Sequence, residues 1–483
     1  MFKNINCKNL PSLRRNIVYQ FLYELLIVFI PLFTIPYVSR VLGAENIGLF
    51  SYTYAVANYF VLFANLGIKN YGSRTIAMVR NNKEELNRNF SEILSIHIIF
   101  SIIVIFVYLV LLFFFVEDNL VIFLIQSIYV FAAVFDINWF FFGIEKFKLT
   151  VGRNTLVKIL SVFLVLVFVK TQTDLWIYAL ILALSVFVGQ SVVWFALKQY
   201  VSWRRPSWAN MKQHIRPLFV LFLPILALSL YKYMDKIMLG SISSNVQVGF
   251  YENAEKIINV PMSLIMAFGV VLMPRIANMV TSKDKGEVFK LIDMSMEAVM
   301  LLAIAISFGL AGISFVLAPI FFGYEFEECG ILIMGLAVTV PFMAFANVIR
   351  TQYLIPYKED KIFVVSLFLG AAVNLIVNII LIPYMAARGA VIGTIFAEII
   401  VCIYQSYFVR KKIFIKKYLL NTIPPILIGI VMFVFVFQIG NVMNINIVTL
   451  ILQLLVGMFI YAVGVFLLML KSRTRLMVLL RKF

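Results

Sequence analysis

Cysteine and histidine are scarce in this sequence, with 3 cysteines and 2 histidines among 483 residues. Cys7 lies near the N-terminus, and Cys329 and Cys402 are far apart, so their spacing indicates neither a disulfide framework nor a metal site. His97 and His214 do not belong to any cluster of cysteines and histidines. We therefore expect neither a protein-bound catalytic metal nor a cofactor.

Charged residues are also few, at 13% of the chain, whereas 63% of the residues are hydrophobic and the mean hydropathy is +0.99. Soluble globular proteins carry about twice that share of charge. The longest polar connection, near residues 199–215, has only the length of a linker. This excludes a soluble catalytic domain, and we do not expect an enzyme. The continuous apolar runs also exclude the alternating strands of a membrane β-barrel.

Apolar runs that could cross a membrane recur along the whole chain. A helix needs about 20 apolar residues to cross a hydrocarbon core of about 30 Å. The sequence predicts an all-α polytopic membrane protein with about fourteen such spans, at residues 16–38, 48–67, 90–116, 119–142, 154–169, 175–197, 217–239, 249–273, 291–316, 331–349, 362–382, 389–409, 421–438 and 446–470.

The net charge of +18 would suggest a nucleic-acid partner in a soluble protein, but the distribution of the basic residues indicates another role. With a cytoplasmic N-terminus, 35 of the 41 lysines and arginines fall in segments predicted to be cytoplasmic. This is the bias of the positive-inside rule, and it places both termini in the cytoplasm. The exceptions are Arg40, Lys170 and Arg388 outside and Lys232, Lys236 and Lys256 within spans. We expect the basic loops to contact anionic lipid and not nucleic acid.

An internal repeat is visible at an offset of 201 residues. VLGAENIGLFSY at 41–52 resembles MLGSISSNVQVGFYEN at 238–253, and 26 residues separate Gly48 from Arg74 as well as Gly249 from Arg275. Parallel repeats of this kind suggest two bundles that alternate access to a site at their interface. The predicted domains are a six-helix bundle at 1–199, a cytoplasmic linker at 200–215, a second six-helix bundle at 216–412, and two further helices with a tail at 413–483.

Several segments carry a family resemblance over nearly the whole chain. PLFTIPYVSRVLGAENIGLFSYTYAVANYFVLFANLGIKNYGSRTIA at 31–77 resembles the opening of the bacterial polysaccharide transporters, the Wzx-type flippases of the multidrug/oligosaccharidyl-lipid/polysaccharide exporter superfamily. Further similar segments are YKYMDKIMLG at 231–240, VGFYENAEKI at 248–257, VLMPRIANMV at 271–280, FFG at 321–323 and GAAVNLIVNIILIPYMAARGAVIGTIFAE at 370–398.

The resemblance implies a fourteen-helix flippase in the bacterial plasma membrane. Its substrate would be undecaprenyl-diphosphate-linked oligosaccharide for a capsule, O-antigen, teichoic acid or exopolysaccharide. Its partners would include membrane lipids, the polysaccharide polymerase and the chain-length machinery. One alternative is a multidrug or cation exporter of the same superfamily, which usually has twelve spans. Another is a membrane polymerase or glycosyltransferase, which usually has a sizeable loop that this chain lacks.

Ionisable residues at membrane depth usually pair or line a wet cavity. In the seventh span, Lys232, Asp235 and Lys236 can share one helical side. A Lys232–Asp235 pair would leave Lys236 without a counter-charge. In the eighth span, Glu252 and Lys256 have the i,i+4 spacing of a helical ion pair. Snorkelling to a nearby interface remains an alternative for Lys236 and Glu252.

The repeat places a second polar stripe opposite these charges. Its offset aligns Glu252, Glu255 and Asn259 with Ser51, Tyr54 and Asn58, and we expect both stripes to face the cavity between the halves. Fixed cations there could attract a lipid-linked diphosphate. The charges of the seventh and eighth spans sum to zero, however, so they do not demand an anion. The substrate-binding candidates are Arg40, Ser51, Tyr54, Asn58, Lys232, Asp235, Lys236, Glu252, Glu255, Lys256 and Asn259.

Two carboxylates near mid-depth, Glu24 and Glu398, are candidates for proton or sodium coupling. The alternatives for both are protonated carboxyls or structural anchors. Asn374 and Asn378 have the spacing of residues that join membrane helices. Four residues nearer the cytoplasmic end are predicted to form salt bridges or gates: His97, Asp136, Asp293 and Glu297.

Overall fold

The computed structural model describes the backbone of residues 10–281 and 285–471, and the side chains of residues 33–280 and 286–470 apart from residues 147, 148 and 231. Within these residues the regular structure is entirely helical, which confirms the predicted all-α fold. The helices are α1 (Leu10–Asn65), α2 (Ile68–Val79), α3 (Lys83–Phe115), α4 (Leu120–Val134), α5 (Asn138–Gly143), α6 (Phe147–Phe168), α7 (Leu175–Leu197), α8 (Trp208–Ile242), α9 (Asn245–Thr281), α10 (Lys285–Phe322), α11 (Cys329–Ala337), α12 (Thr339–Ile349), α13 (Asp360–Met385), α14 (Ala387–Val409), α15 (Ile415–Val442) and α16 (Ile447–Lys471). A π-helical turn, Arg350–Leu354, continues α12.

The number of membrane spans agrees with the sequence. In the described part of the chain, 13 helical segments are long and apolar enough to cross a membrane. The first of these runs through a kink in α1 at Gly43, where φ is 77° and ψ is 171°. Residues with a Cβ rarely adopt these backbone angles, so glycine allows the chain to turn there. The kink separates the first two predicted spans and yields the fourteen that the sequence indicates.

Residue contacts divide the chain into two compact units, residues 1–233 and residues 234–483. In the first unit, α1 packs on α3 and α4, and α4 packs on α7. The aromatic run of α5 is buried, with Trp139 stacked on Phe90 of α3 at 5.5 Å between ring centroids. The connection after α7 is bound to α3, because the Ser202 amide donates to Asn87 and the Arg204 amide donates to Ser91.

In the second unit, α13 packs along α14, while α10 contacts α11, α15 and α16. Close approach of these helices depends on small residues. A Cβ at Gly312 would meet Val436 of α15 at 2.9 Å, and one at Gly429 would meet Phe308 of α10 at 2.4 Å. Small residues at such contacts are typical of helices that associate in a bilayer.

The boundary between the two units along the chain falls within α8, between Tyr233 and Met234, and not in the predicted linker at 200–215. The division of the chain into repeats at 1–199 and 216–412 therefore stays a prediction.

Candidate functional site

The second unit contains a buried cluster of charges on α8 and α9. The Lys236 ammonium lies 2.5 Å from the Glu252 carboxylate and 2.8 Å from that of Glu255. Lys256 lies 3.1 Å from the other oxygen of Glu252. The predicted i,i+4 pair is thus confirmed, and Lys236 has two counter-charges. We call these four residues the ion-pair cluster.

The cluster forms because α8 and α9 are consecutive helices joined by residues 243 and 244 alone. Such a short turn brings the end of one helix beside the start of the next. Two ammonium groups and two carboxylates balance each other, which removes most of the cost of placing charge at membrane depth. Lys236 retains 10% of its side-chain exposure and Lys256 retains 33%, so Lys256 is the more accessible cation.

Asp235, the neighbour of Lys236 in sequence, belongs to a separate network of neutral groups. Its carboxylate accepts hydrogen bonds from Tyr251 at 2.6 Å, Asn378 at 2.5 Å and Thr394 at 3.0 Å. The side chain is buried. We call Asp235, Tyr251, Asn378 and Thr394 the carboxylate network, and it joins α8, α9, α13 and α14. The bond from Asn378 confirms that this asparagine holds helices together.

The possible pair between Lys232 and Asp235 is not formed. Lys232 is exposed, and its ammonium lies 5.2 Å from the centroid of the Tyr233 ring. Among the described side chains no ion pair joins Lys232 to Asp235. The two residues are about 60° apart around a helix, which is enough to expose one and bury the other.

The carboxylate network has the donor set of a small cation site or a proton site. Its oxygens come from a carboxylate, two hydroxyls and the amide of Asn378, with the Asn374 amide adjoining them, and hard cations take oxygen ligands. Asn378 donates to Asn374 at 3.2 Å, while the Asn378 side-chain oxygen is buried and has no hydrogen-bond partner in the described part of the structure. A Cβ at Gly393 would lie 2.1 Å from that oxygen, so this glycine leaves room for the amide.

In the first unit, the positions that the repeat aligns with the charged residues of α9 carry no charge. They lie beside a stripe of aromatic rings formed by Phe50, Tyr54 and Tyr129. Tyr54 stacks on Phe50 with ring centroids 5.6 Å apart and meets the edge of Tyr129 at 5.1 Å. Asn58 donates from its side chain to the Tyr54 carbonyl at 2.9 Å. The partly exposed rings of Phe50 and Tyr54 present flat apolar faces, and the Asn58 amide beside them presents polar atoms.

The structure does not bring all the predicted residues together. Ser51 is buried, and Asn259 is exposed on α9. Arg40 is exposed on α1, three residues before Gly43. Direct contacts among the predicted binding residues join the members of the ion-pair cluster, and Asn58 is bound to the Tyr54 carbonyl.

The two ion-coupling candidates have different outcomes. The side chain of Glu24 lies outside the described residues. Glu398 lies on α14 within the electrostatic reach of Arg350, and its coupling role stays a prediction. Of the predicted gate residues, Asp293 forms a salt bridge with Lys417 at 2.6 Å. Asp136 accepts from the amide of Asn138, the first residue of α5, at 3.0 Å, and its role as a gate residue stays a prediction.

Sequence reasoning missed a buried polar network in the first unit. The His214 ring lies 2.9 Å from the Glu92 carboxylate and 2.6 Å from the Tyr71 hydroxyl. Asn210 also donates to Glu92 at 3.1 Å. These residues join α2, α3 and α8, and Glu92 and His214 are almost fully buried. The only available signal was a carboxylate and a histidine in apolar surroundings, which does not indicate that they meet.

The helices and their buried charges define a polytopic α-helical membrane protein with ionisable groups enclosed in its bundles. The family model described as "Polysaccharide biosynthesis protein" matches residues 13–280, more than half of the chain. The chain belongs to this family.

Two curated relatives support the assignment. The "Putative O-antigen transporter" of Shigella dysenteriae is 24% identical over 408 residues, which cover 81% of this chain and 99% of the relative. "Lipid II flippase MurJ" of Bacillus subtilis is 28% identical over 224 residues, or 42% of this chain and 41% of the relative.

Solved structures show the same fold. The lipid II flippase MurJ in an inward closed conformation matches with a TM-score of 0.74 and 16% identity, over 95% of this chain and 99% of that one. An inward-facing multidrug resistance MATE transporter of the MOP superfamily matches with a TM-score of 0.60 and 14% identity, over 82% of this chain and 98% of that one. These matches confirm the predicted fold class.

Proposed function

We propose that this protein is a flippase that moves undecaprenyl-diphosphate-linked oligosaccharide from the cytoplasmic to the outer leaflet by alternating access. The glycan would serve a capsule, O-antigen, teichoic acid or exopolysaccharide. Membership of the polysaccharide biosynthesis family supports this proposal. So do the names of the relatives, which are transporters and flippases and not enzymes. We place it in the bacterial plasma membrane with both termini cytoplasmic.

The observation that carries the proposal is the ion-pair cluster, which places four charges within the membrane helices of the second unit. Structural packing alone does not require four charges at membrane depth, because well-packed apolar residues would stabilise the bundle as well. Ionisable groups in such positions usually mark a substrate or ion pathway. We infer that the cluster borders the hydrated route of the substrate.

Within that route, we assign different roles to the cations. Arg40, Lys232 and Lys256 are accessible, and they are the candidates to contact the diphosphate. Lys236 is held between two carboxylates and acts as a positioning residue for them. We assign the sugar chain to the stripe of Tyr54 and Asn58 in the first unit, and we retain Ser51 and Asn259 as binding candidates. Polymerase and chain-length machinery stay proposed partners.

We propose that the carboxylate network around Asp235 couples transport to a small cation or a proton. Asp235 is buried and its oxygens are engaged by Tyr251, Asn378 and Thr394, so a large substrate has no direct access to this carboxylate. The carboxylate has no cationic partner among the described residues, so a bound ion or proton would supply the missing positive charge.

A reconstitution experiment tests the transport function. The full chain is placed in vesicles that contain fluorescent undecaprenyl-diphosphate-linked oligosaccharide, and the label exposed on each leaflet is measured by impermeant quenching. Flipping should be fast with the wild type and reduced at least tenfold by Arg40→Gln, Lys232→Gln or Lys256→Gln. Lys361→Gln removes an exposed cation elsewhere and serves as the control. Wild-type protein that leaves the label on one leaflet would exclude the proposal.

The alternative of a multidrug or cation exporter is less well supported. Exporters of that kind usually have twelve spans, whereas α15 and α16 are present here and pack on α10. A deletion strain distinguishes the two functions. Accumulation of carrier-linked repeat units on the cytoplasmic side supports the flippase, whereas drug sensitivity with normal export of glycan supports the exporter.

A further inference from the structure

The segment that spans the turn after α14 and the first three residues of α15 carries the densest positive charge among the connections of the chain. Its sequence, RKKIFIKK at 410–417, has five basic residues in eight and no acidic residue. The connection PYKEDK at 356–361 mixes the two signs, and KQYVSWRRPS at 198–207 is purely basic but carries three basic residues in ten. The positive-inside rule explains an excess of cations in a loop, but it does not require this concentration. We call residues 410–417 the basic turn.

The basic turn has a fixed conformation. Ile413 is buried and anchors it, and the Lys412 amide donates to the Val409 carbonyl at 2.8 Å. Phe414 projects outward with 75% of its side chain exposed. The guanidinium of Arg410 lies 3.8 Å from the centroid of the Tyr407 ring. An exposed aromatic between cations is typical of a surface at the level of lipid headgroups.

Most of these cations lack an acidic partner. Lys417 is bound to Asp293, with Glu297 also in electrostatic reach. In the described part of the structure no salt bridge involves the other four, which are Arg410, Lys411, Lys412 and Lys416. Four exposed cations held within one short turn would attract a ligand with at least one phosphate.

A mostly apolar cavity begins where the basic turn ends. It has a volume of about 180 Å³ and lies among α10, α15 and α16. Tyr418 and Leu420, in the first two turns of α15, line it together with Met300, Pro424, Val465 and Leu468. The polar side chains of Glu297, Asn421 and Thr422 also line it, so the cavity is mostly and not wholly apolar. An apolar cavity of about 150 Å³ stays dry and accommodates a ligand the size of benzene. This cavity can therefore hold a short stretch of hydrocarbon chain.

We propose that the basic turn and the adjoining cavity form a binding site for an anionic membrane phospholipid. The phosphate would contact Arg410, Lys411, Lys412 and Lys416, and part of one acyl chain would enter the cavity. Neither a free phosphate nor an acidic protein segment would use both features, because only a lipid joins a phosphate to a hydrocarbon chain. Basic pockets between membrane helices on the cytoplasmic side bind anionic headgroups in this manner.

Binding is measured on the purified full chain by native mass spectrometry and by fluorescent phosphatidylglycerol titrated in detergent, with phosphatidylcholine as the neutral comparison. Phosphatidylglycerol should bind at least tenfold more tightly than phosphatidylcholine. Lys411→Gln/Lys412→Gln/Lys416→Gln should abolish this preference. The matched control, Lys198→Gln/Lys358→Gln/Lys361→Gln, removes three cations elsewhere and should retain it. Val465→Trp, which fills the cavity without changing the charge, should weaken the binding of both lipids.

Three results would overturn the proposal. The first is an equal loss of phosphatidylglycerol in the triple variant and its control. The second is competition by inorganic phosphate as strong as that by phosphatidylglycerol, which would indicate a simple charge patch. The third is stoichiometric displacement of phosphatidylglycerol by undecaprenyl diphosphate, which would identify a substrate site instead.

Discussion

The Lys236 ammonium bridges the carboxylates of Glu252 and Glu255, at 2.5 and 2.8 Å, and so ties α8 to α9. Lys256 balances the second negative charge at 3.1 Å from Glu252. Lys236 and Glu252 are largely removed from solvent, at 10% and 15% exposure, whereas Glu255 and Lys256 are partly exposed. The buried members therefore depend on the others for their counter-charge. Loss of one charge should affect the whole cluster.

Replacement of Lys236 by glutamine should destabilise the protein strongly. The change leaves two carboxylates close together with only Lys256 to balance them, and removal of one partner from a buried ion pair costs about 3–5 kcal/mol. The measurement is thermal unfolding of the purified protein in detergent. Lys232→Gln makes the same chemical change at an exposed position of the same helix and should cost about 0.5 kcal/mol or less.

A double variant separates charge balance from packing. Lys236→Gln/Glu255→Gln restores neutrality, so it should recover part of the stability that Lys236→Gln loses. Equal melting temperatures for Lys236→Gln and the wild type would contradict the account of the ion-pair cluster.

Much of the fold could be predicted from the sequence because membrane spans are local features. Continuous apolar runs fix the helices, and the i,i+4 spacing of Glu252 and Lys256 was enough to predict their ion pair. The partners of Asp235 could not be predicted, since Asn378 and Thr394 are more than 140 residues away. Spacing along one helix reports neighbours on that helix and carries no information about which other helices pack against it.

The carboxylate network should respond to a cation through Asp235. If sodium binds there, the wild type should be stabilised by sodium chloride relative to choline chloride at equal ionic strength, by about 2.7 kcal/mol when sodium is at 100 times its dissociation constant. Asp235→Asn, which keeps the shape of the side chain, should remove this effect. Melting temperatures from scanning fluorimetry provide the measurement.

The same measurement distinguishes the two described coupling candidates. Glu398→Gln should retain the response to sodium if Asp235 is the site. A response that survives in Asp235→Asn and disappears in Glu398→Gln would transfer the coupling role to Glu398. If neither sodium nor a change of pH from 8 to 5 affects the wild type differently from Asp235→Asn, the coupling proposal fails.

Gly393 offers an independent test of the carboxylate network without altering any ionisable group. Its alanine variant would place a Cβ 2.1 Å from the Asn378 side-chain oxygen, so the amide that donates to Asp235 must shift. We expect Gly393→Ala to weaken the cation response at least tenfold and to lower stability by about 1–3 kcal/mol. Gly152→Ala is the control, because no atom lies within 4 Å of the added Cβ. Equal cation responses and equal melting temperatures in the two variants would show that the position of Asn378 does not affect the cation response.

The site in the first unit was predicted only in outline. The repeat indicated that Tyr54 and Asn58 share a helical face, and the structure shows them in one turn with a bond of 2.9 Å. The rings of Phe50 and Tyr129, which complete the stripe, were not predicted. Aromatic residues make up 15% of the chain, so their presence in a span does not distinguish a binding surface from packing.

The network of Tyr71, Glu92 and His214 should contribute to stability and not to transport chemistry. Glu92→Ala leaves His214 and Asn210 without their buried acceptor, and we expect a loss of about 3 kcal/mol. Tyr71→Phe removes one hydrogen bond and should cost about 1 kcal/mol. Arg204→Gln breaks an exposed salt bridge with Glu84 on the same helix as Glu92 and should cost about 0.5 kcal/mol. The order of these three melting temperatures is the test. If Glu92→Ala instead abolishes flipping at an unchanged melting temperature, the network has a direct role in transport.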